Sequence, residues 1–230
     1  MVFNKEVPVI TLDGPSGTGK GTICHLVAKK LRWNMLDSGA IYRVLAYAAR
    51  KNKVDFGDIQ ELINLALDLD LRFESSTNNE TKVILNHENI SQQIRSEQCG
   101  QDASQIAAIP EVRKALLKRQ RDFAQFPGLV TDGRDMGTVV FPNAILKVYL
   151  YASAEERANR RYLQLKENGI NVSLAQVVEE LAKRDARDTE RTHAPLKPAE
   201  DAVLIDTTGL TIVQVFNNVL KLIDERLNNV

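Results

Sequence analysis

The residues Gly14-Pro15-Ser16-Gly17-Thr18-Gly19-Lys20-Gly21-Thr22 constrain the fold more than any other stretch of the chain. They carry the spacing G-x-x-x-x-G-K, preceded by an apolar, β-branched run at residues 7–12 that breaks at Asp13-Gly14. They are followed by Ile23, Leu26, Val27, Ala28 and Leu31, which recur at helical spacing over residues 20–31. A strand, a glycine loop and a helix in that order predict a phosphate-binding loop. Its backbone N–H groups turn inward at phosphate oxygens, the helix N-terminus adds positive potential, and Lys20 reaches the β- and γ-phosphates. Gly21 stands where this motif usually places a Ser or Thr, and the hydroxyl arrives one residue later at Thr22. Direct metal ligation by the loop hydroxyl is therefore not expected.

Strand and helix patterns alternate along the rest of the chain. Helical spacing recurs at residues 41–49, 59–69, 111–126 and 212–227, and strand patterns recur at 129–132, 146–151 and 203–205. Residues 153–191 are charged and helix-rich, whereas 71–91 read as short antiparallel strands with polar turns at 75–81 and 87–89. The pattern predicts an α/β fold of the P-loop NTPase type: a parallel sheet flanked by helices, ligands at the carboxyl ends of its strands, and a β-containing insertion outside the sheet.

Hydrophobic residues make up 43% of the chain and charged residues 26%, which excludes a disordered or membrane-spanning chain. Thirty Lys plus Arg balance thirty Asp plus Glu, so no overall field draws in nucleic acid or anionic lipid, and any anion site has to be local. Cys24 and Cys99 lie far apart without metal spacing, and His25, His87 and His193 lack acid or Cys partners. The start of the chain has no apolar signal segment, and residues 144–152 are too short to span a membrane, which takes roughly 20 apolar residues. A reduced, cytoplasmic setting and a monomer are the expectations.

A second motif, Asp132-Gly133-Arg134-Asp135, ends the strand pattern at 129–132 and so falls at the sheet edge that carries the phosphate loop. Asp132 is placed to orient water around a magnesium ion, and Arg134 to clamp a phosphate bidentately. One rival is a switch GTPase, since Asn52-Lys53-Val54-Asp55 spells its guanine-reading sequence. Here that sequence follows a helix and precedes any second core strand in the sequence reading, so a chance polar turn is favoured. A nucleic-acid reading of Arg157, Arg160, Arg161, Arg184, Arg187 and Arg191 is countered by Glu155, Glu156, Glu179, Glu180, Asp185, Asp188 and Glu190, which interrupt the basic run.

Taken together, Ser38-Gly39-Ala40-Ile41-Tyr42-Arg43, the DGRDMGTVVFP run from Asp132 to Pro142, RDARDTER from Arg184 to Arg191 and the GKGT loop ending resemble the bacterial cytidylate kinases over nearly the whole chain. The resemblance implies phosphoryl transfer from ATP to CMP or dCMP, with a UMP or AMP acceptor as the alternative, and with Mg2+ held through water near Thr22 and Asp132. It implies a core at residues 1–37, 106–156 and 188–230, a monophosphate-binding insertion at 38–105, and a lid at 157–187. It further implies that Ser104, Arg113 and Asp135 face the cytosine, that Arg43 and Arg134 hold the acceptor phosphate, and that Arg184 and Asp188 read the ribose. Ser38 and Tyr42 then shape the acceptor pocket, and Arg160 and Arg191 act with Lys20 and Asp132 in catalysis. The expected partners are small nucleotides only.

Overall fold

The computed structural model describes residues 6–75, 81–167 and 169–227. The chain begins with β1 (Val9–Asp13), α1 (Lys20–Leu31), β2 (Asn34–Asp37), α2 (Ser38–Lys51) and α3 (Ile59–Asp68). It continues with β3 (Leu71–Ser75), β4 (Thr81–Leu85), β5 (Glu88–Asn89), α4 (Glu97–Ile106), α5 (Pro110–Asp122) and β6 (Leu129–Gly133). A π-helical turn at Met136–Val140 leads into β7 (Leu146–Tyr151), α6 (Ala154–Glu167), α7 (Leu174–Glu190), β8 (Val203–Asp206) and α8 (Ile212–Leu227).

Five strands form one parallel sheet in the order β2-β6-β1-β7-β8. β1 and β6 are buried at every position. Strands covered on both faces lose the alternation of half-exposed ones, which is why residues 7–12 read as a continuous apolar run. Ile10, Leu12, Val148 and Leu150 of the sheet meet Ile23 and Val27 of α1 and Val215, Val219 and Ile223 of α8 in one buried cluster. Each large aliphatic side chain buried there stabilises the fold by about 1.5–3 kcal/mol. The register aligns Leu12 and Asp37 with Asp132, and Asp13 with Gly133 and Tyr149, so acidic side chains gather at the carboxyl ends of β1, β2 and β6.

Two compact units divide the chain. Residues 1–37 and 120–230 form the first, which carries the parallel sheet, and Ser38–Arg119 the second. Within the first, α6 and α7 form a helical hairpin with its own small core of Ala158, Leu165, Val177 and Leu181. Ser173 and Gln176 start α7 with a reciprocal capping box.

In the second unit α2 packs on α4, and β3, β4 and β5 form an antiparallel sheet. This unit runs past residue 105, where the sequence reading ends its insertion. Within it, the Arg113 guanidinium lies 5.7 Å from the centre of the Tyr42 ring. Arg119 Nη2 donates to the Leu67 carbonyl at 3.1 Å. These contacts bind α5 to α2 near its start and to α3 near its end.

β2, α4 and the π-helical turn are absent from the sequence reading, and β5 falls at residues 88–89, where a turn is expected. β2 is four residues of mixed type on the sheet edge, and α4 is a polar helix with Gly100 inside it. Because β2 precedes Asn52-Lys53-Val54-Asp55, the premise that this sequence comes before any second core strand is corrected. The GTPase reading fails on a different ground: Asn52 ends α2, its side chain donating to the Ala48 carbonyl at 2.8 Å. Of the polar turn expected at 75–81, residues 76–80 lie outside the described residues.

Candidate active site

The phosphate loop is built against β7 and α6. Gly14 has φ 142°, and a Cβ there would stand 2.0 Å from the Leu150 carbonyl oxygen of β7. Gly17 has φ 83° and would meet the Arg157 backbone and Cβ of α6 at 2.8 Å. No other residue allows both the left-handed backbone and this closeness. Lys20 opens α1 and is buried, and its ammonium donates to the Pro15 carbonyl at 2.6 Å while the Thr18 hydroxyl donates to the same oxygen at 3.2 Å. Burial, and next the Arg134 guanidinium, push the Lys20 ammonium well down from its ordinary range. A polyphosphate placed in the loop reverses that balance, since opposite charge favours the protonated ammonium.

Across from the loop, Asp132 is the penultimate residue of β6. Its carboxyl is pushed up by burial first and by Asp37 second, and its Oδ1 is buried without a hydrogen-bond partner among the described residues. Arg134 Nε donates to Asp188 Oδ2 on α7 at 2.8 Å, both side chains largely buried. Burial raises the Asp188 carboxyl, but Arg134 and Arg184 outweigh it and hold the group below the usual carboxylate range. Asp135 and Arg191 face each other at 3.8 Å, each about 5% exposed at most. The first unit thus gathers Lys20, Asp132, Arg134, Arg184 and Asp188 in mutual electrostatic range, with the Asp135–Arg191 pair beside them. Desolvated pairs of this kind add little net stability but present preorganised charge, which suits a polyanionic ligand.

Arg160, expected among the catalytic groups, is held by the segment that follows β8. Its guanidinium donates to the Thr207 hydroxyl at 3.0 Å, to the Thr207 carbonyl at 2.6 Å and to the Leu210 carbonyl at 3.4 Å, and pairs with Glu156 at 2.9 Å. The one Thr207 hydroxyl proton is shared between the Tyr151 carbonyl at 3.1 Å and the Thr18 carbonyl of the phosphate loop at 3.4 Å, which places Arg160 one residue away from the loop. Thr22 is exposed in the first turn of α1, and a Cβ built on Gly19 or Gly21 would meet nothing within 4 Å among the described residues.

In the second unit, Tyr42 and Arg113 come together through the ring contact, and Arg113 Nη1 also donates to the Ala107 carbonyl at 3.2 Å. Arg43 Nη1 donates to the Ile94 and Ser96 carbonyls at 2.8 and 3.2 Å. Ser104 lies buried on α4, and its hydroxyl has no hydrogen-bond partner among the described residues. Ser38 is buried at the start of α2.

The family model described as cytidylate kinase matches residues 10–225. The chain belongs to the cytidylate kinase family. A cytidylate kinase of Pseudomonas syringae pv. tomato is 57% identical over 94% of this chain and 94% of its own length. One from Stutzerimonas stutzeri is 56% identical over 96% and 97%. A crystal structure of an uncharacterized protein from Eubacterium ventriosum superposes with a TM-score of 0.51 at 12% identity, covering 96% of this chain and all of that one, a likeness of fold alone.

Two sets of contacts beside the phosphate loop escape a reading by motif. Arg157 is buried beneath the loop: its Nη1 donates to the Ser16 carbonyl at 3.2 Å and to Asp185 Oδ2 at 2.6 Å, and its Nε to the Ala152 carbonyl at 3.2 Å. Asp13 accepts the backbone N–H groups of Met136 and Gly137. Asp13 leaves one sequence signal, an acid ending an otherwise apolar core strand; its partners more than a hundred residues away leave none.

Proposed function

We propose that the protein transfers the γ-phosphoryl group of ATP to CMP or dCMP, giving ADP and CDP or dCDP. The observation that carries this reading is the cluster of buried arginine–carboxylate pairs, Arg134–Asp188 and Arg191–Asp135, set at the strand ends beside Lys20. In the transfer, an acceptor phosphate oxygen forms a bond to the γ-phosphorus as the bond to the β,γ-bridging oxygen breaks, and ADP leaves. Charge spreads over the equatorial oxygens, so the protein contributes position and electrostatics rather than a covalent nucleophile. In this reading Lys20 and the loop of residues 14–22, through its backbone N–H groups other than at Pro15, hold the β- and γ-phosphates. Arg134 with Arg43 clamps the acceptor phosphate, Asp188 and Arg184 face the ribose, and Asp135, Ser104 and Arg113 face the base. Ser38 and Tyr42 shape the acceptor side, and Arg191 and Arg160 offset charge developing on the transferred group.

Magnesium fits the residues present. The buried Asp132 Oδ1 lacks a partner among the described residues, and no three His, Cys, Asp or Glu side chains there converge as direct ligands. Asp132 and Thr22 would therefore hold the ion through water, and the ion would offset charge on the β- and γ-phosphate oxygens. No helix among the described residues is long and apolar enough to cross a membrane. A monomer working on cytoplasmic nucleotides completes the proposal. A coupled assay of ATP consumption across CMP, dCMP, UMP, AMP and GMP tests it. Turnover is expected with CMP and dCMP well above the others; preference for AMP or UMP overturns the acceptor, and turnover without any acceptor overturns the kinase.

A further inference from the structure

Asp13 has no place in the reaction as derived so far, yet it is buried in the centre of the sheet. It is the last residue of β1, and Gly14 of the phosphate loop follows it directly. Its two carboxylate oxygens accept consecutive backbone N–H groups: Met136 N–H on Oδ1 at 2.9 Å and Gly137 N–H on Oδ2 at 2.7 Å. Those amides open the π-helical turn Met136–Val140, and like the first amides of any helix they have no partner within their own turn. A carboxylate receiving both satisfies them and meets the positive end of the turn.

The segment so held is the one that matters for the acceptor. Gly133 is fixed by its register with Asp13, Met136 and Gly137 are fixed by the Asp13 carboxylate, and between these points stand Arg134 and Asp135. The turn has no room to slide, because a Cβ on Gly137 would stand 2.9 Å from Thr11 Oγ1 of the same strand and 3.2 Å from the Lys147 side chain. One side chain therefore ties the strand that launches the phosphate loop to the backbone that carries Arg134 and Asp135. A neutral residue would fill this place at lower desolvation cost, so the carboxylate is best explained by the paired bonds it makes. The groups facing it are Lys20 on α1, Asp132 and Asp135 around the end of β6, and Tyr149 on β7.

We propose that Asp13 is a positioning residue that aligns Arg134 and Asp135 with the phosphate loop, so that its two-oxygen geometry sets acceptor binding rather than ATP binding. The inference rests on the reading of Arg134 and Asp135 as acceptor contacts. Asn has the size of Asp but one accepting oxygen, and its NH2 opposes the second N–H. Asp13→Asn is thus the decisive variant and Asp13→Ala the reference.

The expected result is that both variants raise KM for CMP by tenfold to about a hundredfold, the loss a misplacement of about 1 Å can bring. KM for ATP should stay within about threefold. A wild-type KM for CMP in Asp13→Asn reduces Asp13 to packing and overturns the proposal, as do equal losses on CMP and ATP. If neither variant folds, amide hydrogen exchange on the wild-type enzyme decides. Met136 and Gly137 are expected among the slow-exchanging amides, protected by about a hundredfold or more, and fast exchange at both overturns the proposal. Failure of the wild-type enzyme to phosphorylate CMP would instead sink the acceptor assignment, leaving the exchange result to judge the Asp13 bonds on their own.

Discussion

The two compact units use buried charge in opposite ways. In the second, Asp102 is buried at 2% exposure, and its carboxylate is met by Arg50 at 2.9 and 2.8 Å and by Gln98 at 2.9 Å. Asp102 thus has partners at both oxygens and serves the packing of α2 on α4. In the first, Lys20, Asp132, Asp135 and Asp188 are buried together at the strand ends. There the pairs are left incomplete: Lys20 is pushed down by burial and Arg134, Asp132 is pushed up by burial and Asp37, and one Asp132 oxygen lacks a partner among the described residues. Complete satisfaction marks architecture, and concentrated charge under strain marks a place built for charged ligands.

Lys20→Ala should have the largest effect. It should lower kcat by about a thousandfold or more, because a loop lysine acts on charge that develops in the transition state. Circular dichroism should show the fold retained, since the residue leaves behind a loop held by its glycines and Thr18. Near wild-type turnover would remove the buried charge of the first unit from the chemistry.

Asp188→Ala sharpens the same point. Asp188 pairs with Arg134 at 2.8 Å and, in the proposed function, faces the ribose, so kcat/KM should fall about tenfold or more on dCMP through Arg134 and further on CMP, which alone offers a 2′-hydroxyl. Equal losses on the two acceptors would leave Asp188 with the Arg134 role only.

On the second unit, Asp102→Ala should cost about 1–3 kcal/mol of stability by urea denaturation, the penalty of leaving buried partners unpaired, with KM for ATP unchanged. A fall in ATP binding would mean that the division between architectural and functional charge is wrong.

Asp13 supplies a pH test of the first unit. Burial pushes its carboxyl up to about 6 from 3.8, against the N–H groups of Gly137 and Met136, which lower it. A raised folded-state value means the folded protein holds this proton longer than the unfolded chain does. The contribution is present below about pH 4 and is lost as pH rises through about 6. Asp13→Asn lacks this titration, so its stability relative to wild type should improve between pH 4.5 and 7, by about 2 kcal/mol. A constant difference across that range would contradict the placement of the carboxylate.

Much of the first unit was legible because its signals are local. Helices at Lys20–Leu31 and Ile212–Leu227 and the strand at Leu146–Tyr151 follow from apolar spacing and glycine breaks. What was not legible depends on contacts distant in sequence. β2 is a four-residue edge strand whose pairing with β6 reaches across nearly a hundred residues. α4 hides because Gly100 interrupts its pattern; a Cβ there would stand 2.8 Å from the Arg43 guanidinium, the movable end of that side chain. Among the site residues, Lys20, Asp132 and Arg134 announce themselves by motif. The binding of Arg160 to Thr207, of Arg157 to the Ser16 carbonyl and of Asp13 to Met136 and Gly137 required the fold.

The phosphoryl group leaving ATP arrives on a cytidine monophosphate. Phosphorus NMR of the wild-type enzyme with ATP, Mg2+ and CMP reads both ends of the transfer at once. ADP and CDP resonances should grow together in equal amounts, with inorganic phosphate at background and no growth when CMP is omitted. ADP growing with inorganic phosphate in place of CDP, or no loss of ATP at all, would contradict it.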